Sequence, residues 1–440
     1  MLRLATLAVA ALTASVVSAG AKCGSGAQCP SSAPCCSQYG ECGTGAYCLG
    51  GCDPVNSFSL DSCTPEPICQ SKNFNSFDSM DDLASNTKYL GNSTEYDWVY
   101  SGTPIVHDGN LVLTMGNGSV GTLVAYNHYI WYGKVSGTFK TSRDAGVVTA
   151  FILLSDAKDE IDYEFIGVDL QTAQTNYYFQ GIPDWHHGVN ATIDSNSFEN
   201  FHTYEIDWTP DAVTWYLDGK SVRVLKREET YNETTHQYMF PQTPARLELS
   251  LWPGGLASNA QGVIEWAGGE IDWNSQDMQN PGYYYAIFSN ISITCYDPPS
   301  WAPSVKDGNA YIYNNIAATN NTVQIVKNNT VLANFADTGL NMTASFSTST
   351  ASASQSSSTI ADSVPGQNGG DGAHSGAGFN GTSSSSSSST SETSSSAPTS
   401  TGFSQGGGSN PKSGTVSVNE NMLQSSIFAV LVAVVALVAL

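Results

Sequence analysis

The seven residues Asp159-Glu160-Ile161-Asp162-Tyr163-Glu164-Phe165 alternate between acidic and apolar side chains. This period of two is typical of a β-strand that has one polar and one buried face. The three carboxylates of Glu160, Asp162 and Glu164 then share a face, where like charges repel each other. On a flat strand the first and third of these residues are about 13 Å apart at Cα. Side chains that lean inward on a curved sheet bring two carboxyl groups to the roughly 5 Å that a retaining glycosidase requires. The stretch is therefore either a catalytic strand or an ordinary strand with a solvated acidic face.

The chain around this stretch, from residue 70 to residue 300, has the pattern of a large β domain. Short alternating segments are punctuated by Gly, Asn and Asp, and no long helical periodicity interrupts them. We predict an all-β fold, an antiparallel β-sandwich of the jelly-roll type. Asp218-Gly219 predicts a tight hairpin turn. The predicted strands are residues 110–114, 137–141, 147–154, 176–180, 202–208, 212–217, 221–225 and 246–251.

Two of these strands carry candidate substrate-binding residues. On residues 246–252, Arg246, Glu248 and Trp252 share one face and the leucines share the other. An aromatic ring among hydrogen-bonding side chains is what a sugar-binding groove requires, although an outer strand with a solvated polar face has the same pattern. The same reasoning selects Tyr178 on the segment that follows the acidic strand.

The N-terminal region predicts a secreted protein with a small disulfide-bonded module. Residues 1–19 have the charge, apolar run and small-residue end of a signal peptide. Nine of the ten cysteines lie between positions 23 and 69, and only Cys295 lies beyond. Residues 20–69 are too short and polar to bury a core, so disulfides are expected to hold them together. A zinc site is the alternative, but the adjacent Cys35-Cys36 and the lack of His in this segment disfavour it.

The cysteine spacing of residues 23–52 resembles that of hevein-like chitin-binding modules (carbohydrate-binding module family 18). The resemblance implies the pairs Cys23–Cys36, Cys29–Cys42 and Cys35–Cys48, which spacing alone does not select. It also implies that Ser37, Tyr39 and Tyr47 bind N-acetylglucosamine, whereas Glu41 stands where the family usually has a third aromatic ring. For the remaining cysteines we favour the pairs Cys52–Cys63 and Cys69–Cys295.

Further motifs extend the resemblance over residues 20–300. Glu160-Ile-Asp162-Tyr-Glu164 matches the Glu-x-Asp-x-Glu signature of glycoside hydrolase family 16, and residues 201–208 and 213–219 match its next strands. With the chitin-binding module, Asp159 and residues 258–269, these motifs resemble the fungal Crh-type cell-wall transglycosylases. The resemblance implies that Glu160 is the nucleophile, that Glu164 is the acid/base and contacts substrate, and that Asp162 assists them. It also implies substrate contacts from Glu248, Trp252 and position 263, where Val263 replaces an expected Thr.

These assignments predict a retaining mechanism on a glycan. Glu160 attacks the anomeric carbon to form a glycosyl-enzyme, while Glu164 protonates the leaving oxygen and then deprotonates the acceptor. The three carboxylates do not decide whether the acceptor is water or another glycan. Transfer of chitin to β-glucan or chitin is implied by the resemblance, and a plain retaining chitinase or β-glucanase and a noncatalytic wall lectin are the alternatives.

The C-terminal region predicts attachment to the cell surface. We assign residues 301–412 to a glycosylated Ser/Thr-rich stalk and residues 413–440 to a glycolipid (GPI) anchor signal, with attachment at Ser413 or, alternatively, Asn410 or Gly414. A tail-anchored helix is the other interpretation of the final apolar run. The protein is then expected at the plasma membrane, the wall or both. The N-glycosylation sequons are Asn92, Asn117, Asn190, Asn232, Asn290, Asn320, Asn328, Asn341 and Asn380.

The charge balance restricts the partners. The net charge of −23, with only 16 basic residues, argues against nucleic acid and fits neutral chitin and β-glucan. The sequence contains no phosphate-binding Gly-rich loop before a helix, and we expect no cofactor, no metal and a monomeric protein.

Overall fold

The computed structural model describes residues 21–343, 361 and 363–366. The predicted signal peptide, the anchor signal with Ser413 and the sequon at Asn380 lie outside the described residues. Within the described part of the chain, no helix is long and apolar enough to cross a membrane.

The described residues form 23 strands, numbered β1 to β23 in chain order. Strands β1 to β8 are Cys35–Cys36, Cys42–Gly43, Glu66–Pro67, Lys72–Phe74, Leu83–Ser85, Trp98–Ser101, Ile105–His107 and Asn110–Gly116. Strands β9 to β16 are Thr122–Tyr126, Gly133–Lys140, Val147–Ser155, Glu160–Ile166, Thr172–Tyr178, Val189–Thr192, His202–Trp208 and Ala212–Leu217. Strands β17 to β23 are Lys220–Lys226, Tyr231–Asn232, Gln237–Tyr238, Ala245–Pro253, Tyr283–Cys295, Ala310–Tyr313 and Val323–Val326. The helices are α1 (Gln261–Trp266), α2 (Gln276–Gln279) and 3-10 turns at Gly45–Cys48, Leu60–Ser62, Trp185–His187, Arg227–Thr230 and Asn320–Thr322.

Two eight-stranded sheets form the sandwich. The front sheet has the order β14-β13-β12-β11-β20-β9-β6-β5, and the back sheet has the order β17-β16-β15-β10-β21-β8-β7, with β4 also paired to β21. All pairs within these sheets are antiparallel except β5 with β6. The predicted antiparallel β-sandwich is confirmed.

The core between the sheets is rich in aromatic rings. Phe139 of the back sheet lies 4.5 Å from Tyr204 and 4.6 Å from Phe288 between ring centroids, and Phe165 of the front sheet lies 4.6 Å from Tyr204. All four side chains are almost completely buried, and each such ring contributes roughly 1.5–3 kcal/mol through removal from water. The apolar residues of β12 therefore determine which face of this strand points into the core.

The hairpin between β16 and β17 shows how local sequence sets the register. Asp218 and Gly219 have φ angles of 48° and 76°, the left-handed values that a tight hairpin turn needs at both central positions. The turn places Leu217 opposite Lys220. The hairpin predicted from Asp-Gly is therefore present.

All ten cysteines form disulfides in this fold. The pairs are Cys23–Cys36, Cys29–Cys42, Cys35–Cys48, Cys52–Cys63 and Cys69–Cys295. The last pair joins the segment that enters the sandwich to the end of β21. The N-terminal module contains the small β1-β2 sheet.

The assignment of residues 301–343 to the stalk requires correction. Strands β22 and β23 pair with each other, and β22 also pairs with β3. Tyr311, Tyr313 and Val323 are buried, so this segment supplies apolar side chains that a stalk lacks. The folded region extends to residue 343, and the Ser/Thr-rich segment follows it. None of the eight sequon asparagines in the described residues is buried.

Candidate active site

The three acidic residues of β12 lie together on the outer face of the front sheet. Ile161, Tyr163 and Phe165 point into the core on the opposite face, so alternation places Glu160, Asp162 and Glu164 outward. Their residues are nevertheless only 3%, 0% and 6% exposed. The ordinary solvated strand face, which was the alternative interpretation, does not describe these acids.

Neighbouring strands give the acids a polar side and an apolar side. On β13, Tyr178, Asn176 and Gln174 stand opposite Glu160, Asp162 and Glu164, respectively. On β11, the opposite residues are Leu154, Ile152 and Ala150. The acids therefore lie between a row of hydrogen-bonding side chains and an apolar row.

The candidate substrate-binding residues of β20 lie on the same outer face. Glu248 stands opposite Ile152, and Trp252 opposite Val148, so β11 separates them from the acidic strand. Neighbouring strands are about 4.8 Å apart, which puts β20 about 10 Å from β12. The outer face of β12, β11 and β20, here named the groove, therefore carries both the acids and these two side chains.

An aromatic wall borders this groove near Glu164. The rings of Trp252 and Trp266 are stacked with centroids 5.9 Å apart, and Trp266 Nε1 donates to Gln174 Oε1 at 2.9 Å. Val263 packs against the same apolar cluster as Trp252. Trp266 was not predicted as a site residue because it belongs to α1, a helix too short for its periodicity to show in the sequence.

Asp159 fixes the beginning of the acidic strand. Its Oδ2 accepts hydrogen bonds from Gln242 N (2.9 Å), Thr243 N (3.0 Å) and Thr243 Oγ1 (2.6 Å), and its Oδ1 accepts from Gln180 N at 3.0 Å. Burial raises the pKa of Asp159 to about 6, although these donors act in the opposite direction. The residue before Glu160 thus ties β12 to the segments that precede β20 and follow β13.

Charged groups near Glu160 shape the electrostatics of the site. Burial raises the pKa of Tyr178, and the nearby charges of Asp162, Glu160 and Glu164 raise it further. Burial lowers the pKa of Lys158, whereas Asp53, Asp156, Glu248 and Glu160 act in the opposite direction. The Lys158 side chain therefore lies near acidic residues of both the N-terminal module and the front sheet. No sequence pattern indicated Lys158, because a single Lys in a turn has no periodic or motif context.

Arg246, predicted to bind substrate, is instead enclosed by protein groups. Its Nη2 lies 2.8 Å from Glu248 Oε1 and donates to Gln38 Oε1 of the N-terminal module at 2.9 Å. Gln38 Nε2 also donates to Glu248 Oε2 at 3.4 Å. The residues of this buried ion pair, Arg246 and Glu248, are 4% and 0% exposed. Arg246 therefore connects the module to the groove, and no sequence pattern predicted Gln38 as its partner.

The predicted chitin-binding residues of the module do not face open solvent. Ser37 is buried, and Tyr39 and Tyr47 are half-buried. Burial raises the pKa of Tyr39, and the charge of Glu248 adds to this effect. These residues therefore lie toward the front sheet.

A pair of acids on one strand, with a third between them and an aromatic wall beside them, is the arrangement of a glycosidase that uses two carboxyl groups. The comparisons agree with this class. The model of "Glycosyl hydrolases family 16" matches residues 92–268.

Individual relatives place the chain in a subgroup of this family. The chain is 58% identical over 440 residues to Crh-like protein 2 of Aspergillus fumigatus, covering 100% of this chain and 98% of the relative. It is 49% identical over 300 residues to Congo red hypersensitive protein 2 of Saccharomyces cerevisiae, covering 68% of this chain and 64% of the relative. A solved structure described as "Crh5 transglycosylase in complex with NAG" is 28% identical with a TM-score of 0.50, covering 62% of this chain and 99% of the other. The chain belongs to the Crh-like family within glycosyl hydrolases family 16, and it is an enzyme of the glycosidase/transglycosylase class.

Proposed function

We propose that this protein is a cell-wall transglycosylase that cleaves chitin with retention and transfers it to β-glucan or chitin. The observation that carries the proposal is the row of Glu160, Asp162 and Glu164 on the outer face of one strand, each almost fully buried. Like charges on one strand face repel each other and burial of a carboxylate costs free energy, so this row is unusual for a purely structural strand. Two carboxylates that flank a glycosidic bond are the groups that glycoside hydrolysis requires.

The mechanism assigns one role to each acid. Glu160 attacks the anomeric carbon, and its carboxylate becomes the ester of the glycosyl-enzyme as the bond to the leaving oxygen breaks. Glu164 gives its proton to that oxygen, and then removes a proton from the acceptor hydroxyl, which attacks the same carbon and frees Glu160. Asp162 lies between them on the same face of β12 and is assigned the assisting role.

We infer transfer, rather than hydrolysis, from the solved structure described as a Crh5 transglycosylase, which is 28% identical to this chain. The acids and their neighbours on β11 serve either reaction, so the choice between the two is made by the assay below.

The protein's position at the cell surface is part of the proposal. Residues 1–19 direct secretion, residues 21–343 form the folded enzyme, a glycosylated Ser/Thr-rich stalk follows, and residues 413–440 signal glycolipid attachment at Ser413. Release of the native protein from intact cells by a phosphatidylinositol-specific phospholipase is the expected result. If the protein stays with the cells after this treatment but is extracted by detergent, a tail-anchored helix replaces the glycolipid; release only by digestion of the wall indicates attachment to the wall.

The transfer reaction is tested with the purified secreted protein, chitin oligosaccharides and a fluorescent β-glucan acceptor. We expect longer labelled products from the wild type and none from Glu160→Gln, which keeps the shape of the side chain without its nucleophilic charge. Glu270→Gln, a matched change at an exposed position, is expected to keep full activity.

Three outcomes are informative. No labelled product from the wild type, or equal product from Glu160→Gln, refutes the transferase. Release of short oligosaccharides without labelled products indicates a plain retaining hydrolase. Glycan binding without either reaction indicates a wall lectin.

A further inference from the structure

Residues 314–322, which join β22 to β23 and are named the β22–β23 loop, lie against the start of the acidic strand. Strand β22 pairs with β23 on one side and with β3 on the other, and Asn314 N donates to Thr322 O at 2.9 Å across the base of the loop. Ala318 is 1% exposed and belongs to the main hydrophobic core. The loop is therefore packed on the sandwich through its own buried side chain.

Gln180 connects this loop to Asp159. Its backbone N donates to Asp159 Oδ1 at 3.0 Å. Its side-chain Nε2 donates to Ala317 O at 2.6 Å and to Ala318 O at 3.1 Å. A single residue thus binds the carboxylate that precedes the nucleophile and, with its side chain, two carbonyl groups of the loop.

Gln242 repeats this arrangement at the other oxygen of the same carboxylate. Gln242 N donates to Asp159 Oδ2 at 2.9 Å, and Gln242 Oε1 accepts from Asn320 N at 3.4 Å. The two glutamines come from different parts of the chain, the end of β13 and the segment before β20. Both oxygens of Asp159 are therefore linked to the β22–β23 loop through one intervening residue.

The backbone around Asp159 is strained at three positions. The φ angle is 68° at Lys158, 48° at Gln180 and 44° at Ala318, values that residues other than glycine adopt only at a cost. Such strain persists where surrounding contacts hold it, and it is concentrated at functional sites. Two of the three strained residues are the partners in the contact between Gln180 and the loop, so this contact holds a conformation that the chain alone does not favour.

We propose that Gln180 is a positioning residue for the transfer reaction, which couples the β22–β23 loop through Asp159 to the nucleophile Glu160. The role of Glu160 rests on the proposed function. Gln180 acts on the geometry of the attack and not on the glycan itself. Because the loop follows the sandwich in the chain, the reaction then depends on residues beyond the two large sheets.

Gln180→Met tests the proposal, because methionine has nearly the length of glutamine but no N–H donor. Gln180→Lys restores a donor for the two carbonyl groups of the loop. Gln171→Met is the matched control, since Gln171 lies at the other end of β13 and is exposed. Initial rates of labelled transfer product are measured with each full secreted protein over a range of chitin-oligosaccharide concentrations, well below the melting range, and thermal unfolding is measured alongside.

We expect Gln180→Met to lower kcat about 10-fold, because a displacement of 1 Å costs on the order of 100-fold in rate and part of the support remains. Asp159 keeps its hydrogen bonds from Gln242 and Thr243. KM should stay within about 2-fold of the wild type, since the lost interaction acts on the transition state. Gln180→Lys should recover most of the lost kcat, and Gln171→Met should behave as the wild type.

A wild-type kcat in Gln180→Met overturns the proposal, even if the melting temperature falls, because the contact then only stabilises the fold. A loss confined to KM also overturns it, since Gln180 would then belong to the substrate contacts. A kcat as low in Gln180→Lys as in Gln180→Met overturns it as well, because the lost donor would not be the cause.

The same experiment separates this role from the proposed function. A wild type that transfers chitin, with an unimpaired Gln180→Met, supports the function and refutes the positioning role. A wild type that only releases short oligosaccharides, more slowly in Gln180→Met, refutes transfer and supports the positioning role. A wild type without either reaction refutes the function and this role together.

Discussion

Replacing Asp159 by alanine removes the carboxylate that accepts hydrogen bonds from Gln180, Gln242 and Thr243. The backbone N–H groups of Gln242 and Thr243 belong to buried residues, and alanine offers them no acceptor. Water replaces the carboxylate only in part at such a site, because a newly opened space must also supply polar partners to hold it. The variant therefore leaves at least two buried donors unsatisfied.

The size of the effect follows from this count. Each buried donor left unsatisfied costs about 1–3 kcal/mol, so two of them, with the more accessible Gln180 N–H, give a loss of about 4 kcal/mol. For a folded region of about 320 residues, each kcal/mol corresponds to about 1.5 °C in melting temperature. We expect Asp159→Ala to melt roughly 6 °C below the wild type. Asp159→Asn keeps one oxygen for the Gln242 and Thr243 donors and should lose about 1 kcal/mol.

Transfer activity should decrease in the same order as stability, from the wild type to Asp159→Asn to Asp159→Ala, because Asp159 directly precedes the nucleophile Glu160. A shift of about 1 Å at Glu160 costs on the order of 100-fold in rate. Thermal unfolding of the three proteins, with the transfer assay below their melting range, measures both effects. Asp169→Asn, at an exposed position, is the control. An alanine variant within 2 °C of the wild type, or one more stable than Asp159→Asn, would refute the reasoning.

Two further predictions concern groups that join the module to the groove. Burial raises the pKa of Glu248 above its ordinary value, although Arg246 opposes the shift. Because the folded state then binds the proton more tightly than the unfolded state, the shift stabilises the fold fully below the pKa of the unfolded state. This stabilisation is lost as pH rises through the pKa of the folded state. The melting temperature of Glu248→Gln relative to the wild type should accordingly increase as pH is raised from about 4, and a relative decrease would show that the carboxylate form is favoured. Gly366→Ala places a Cβ against Tyr39 at a φ of 74°, so it should displace residues 363–366, make Tyr39 more accessible to fluorescence quenchers and raise affinity for short chitin oligomers a few-fold. Unchanged quenching and affinity would mean that this segment does not cover the ring in solution.

The strand pattern of the sandwich was largely readable from local sequence. Residues 202–208 and 212–217 are the strands β15 and β16 as predicted, and residues 147–154 agree with β11 within one residue. Strands β15 and β16 alternate between buried and partly exposed residues, whereas β11 is buried on both faces and is a short, β-branched and aliphatic run. Strand β21, Tyr283–Cys295, was not predicted, because it is central in the back sheet and its long aromatic and aliphatic run lacks a simple alternation.

The sequence patterns did not predict contacts between distant parts of the chain. The spacing of Glu160, Asp162 and Glu164 predicted a shared face, since alternation is a local property. The approach of Gln38 to Glu248 joins residues 210 positions apart, and neither residue has a neighbour that indicates the other. The same holds for residues 301–343, whose two short apolar runs, 310–313 and 323–326, stand alone among Asn-rich turns in the sequence. Their partners are each other and β3, which lies more than 240 residues earlier in the chain.

These long-range contacts explain how a strand with three acids keeps one geometry. Repulsion among Glu160, Asp162 and Glu164 favours any movement that separates them, so the strand must be held from outside. Asp159 holds its start, and Trp215 Nε1 donates to Asp162 O at 3.0 Å from the back sheet. On the neighbouring strand, the Gln174–Trp266 hydrogen bond fixes the side of the groove next to Glu164. Because each of these supports comes from a different element, loss of any one of them should lower transfer activity through the position of the acids before it unfolds the sandwich.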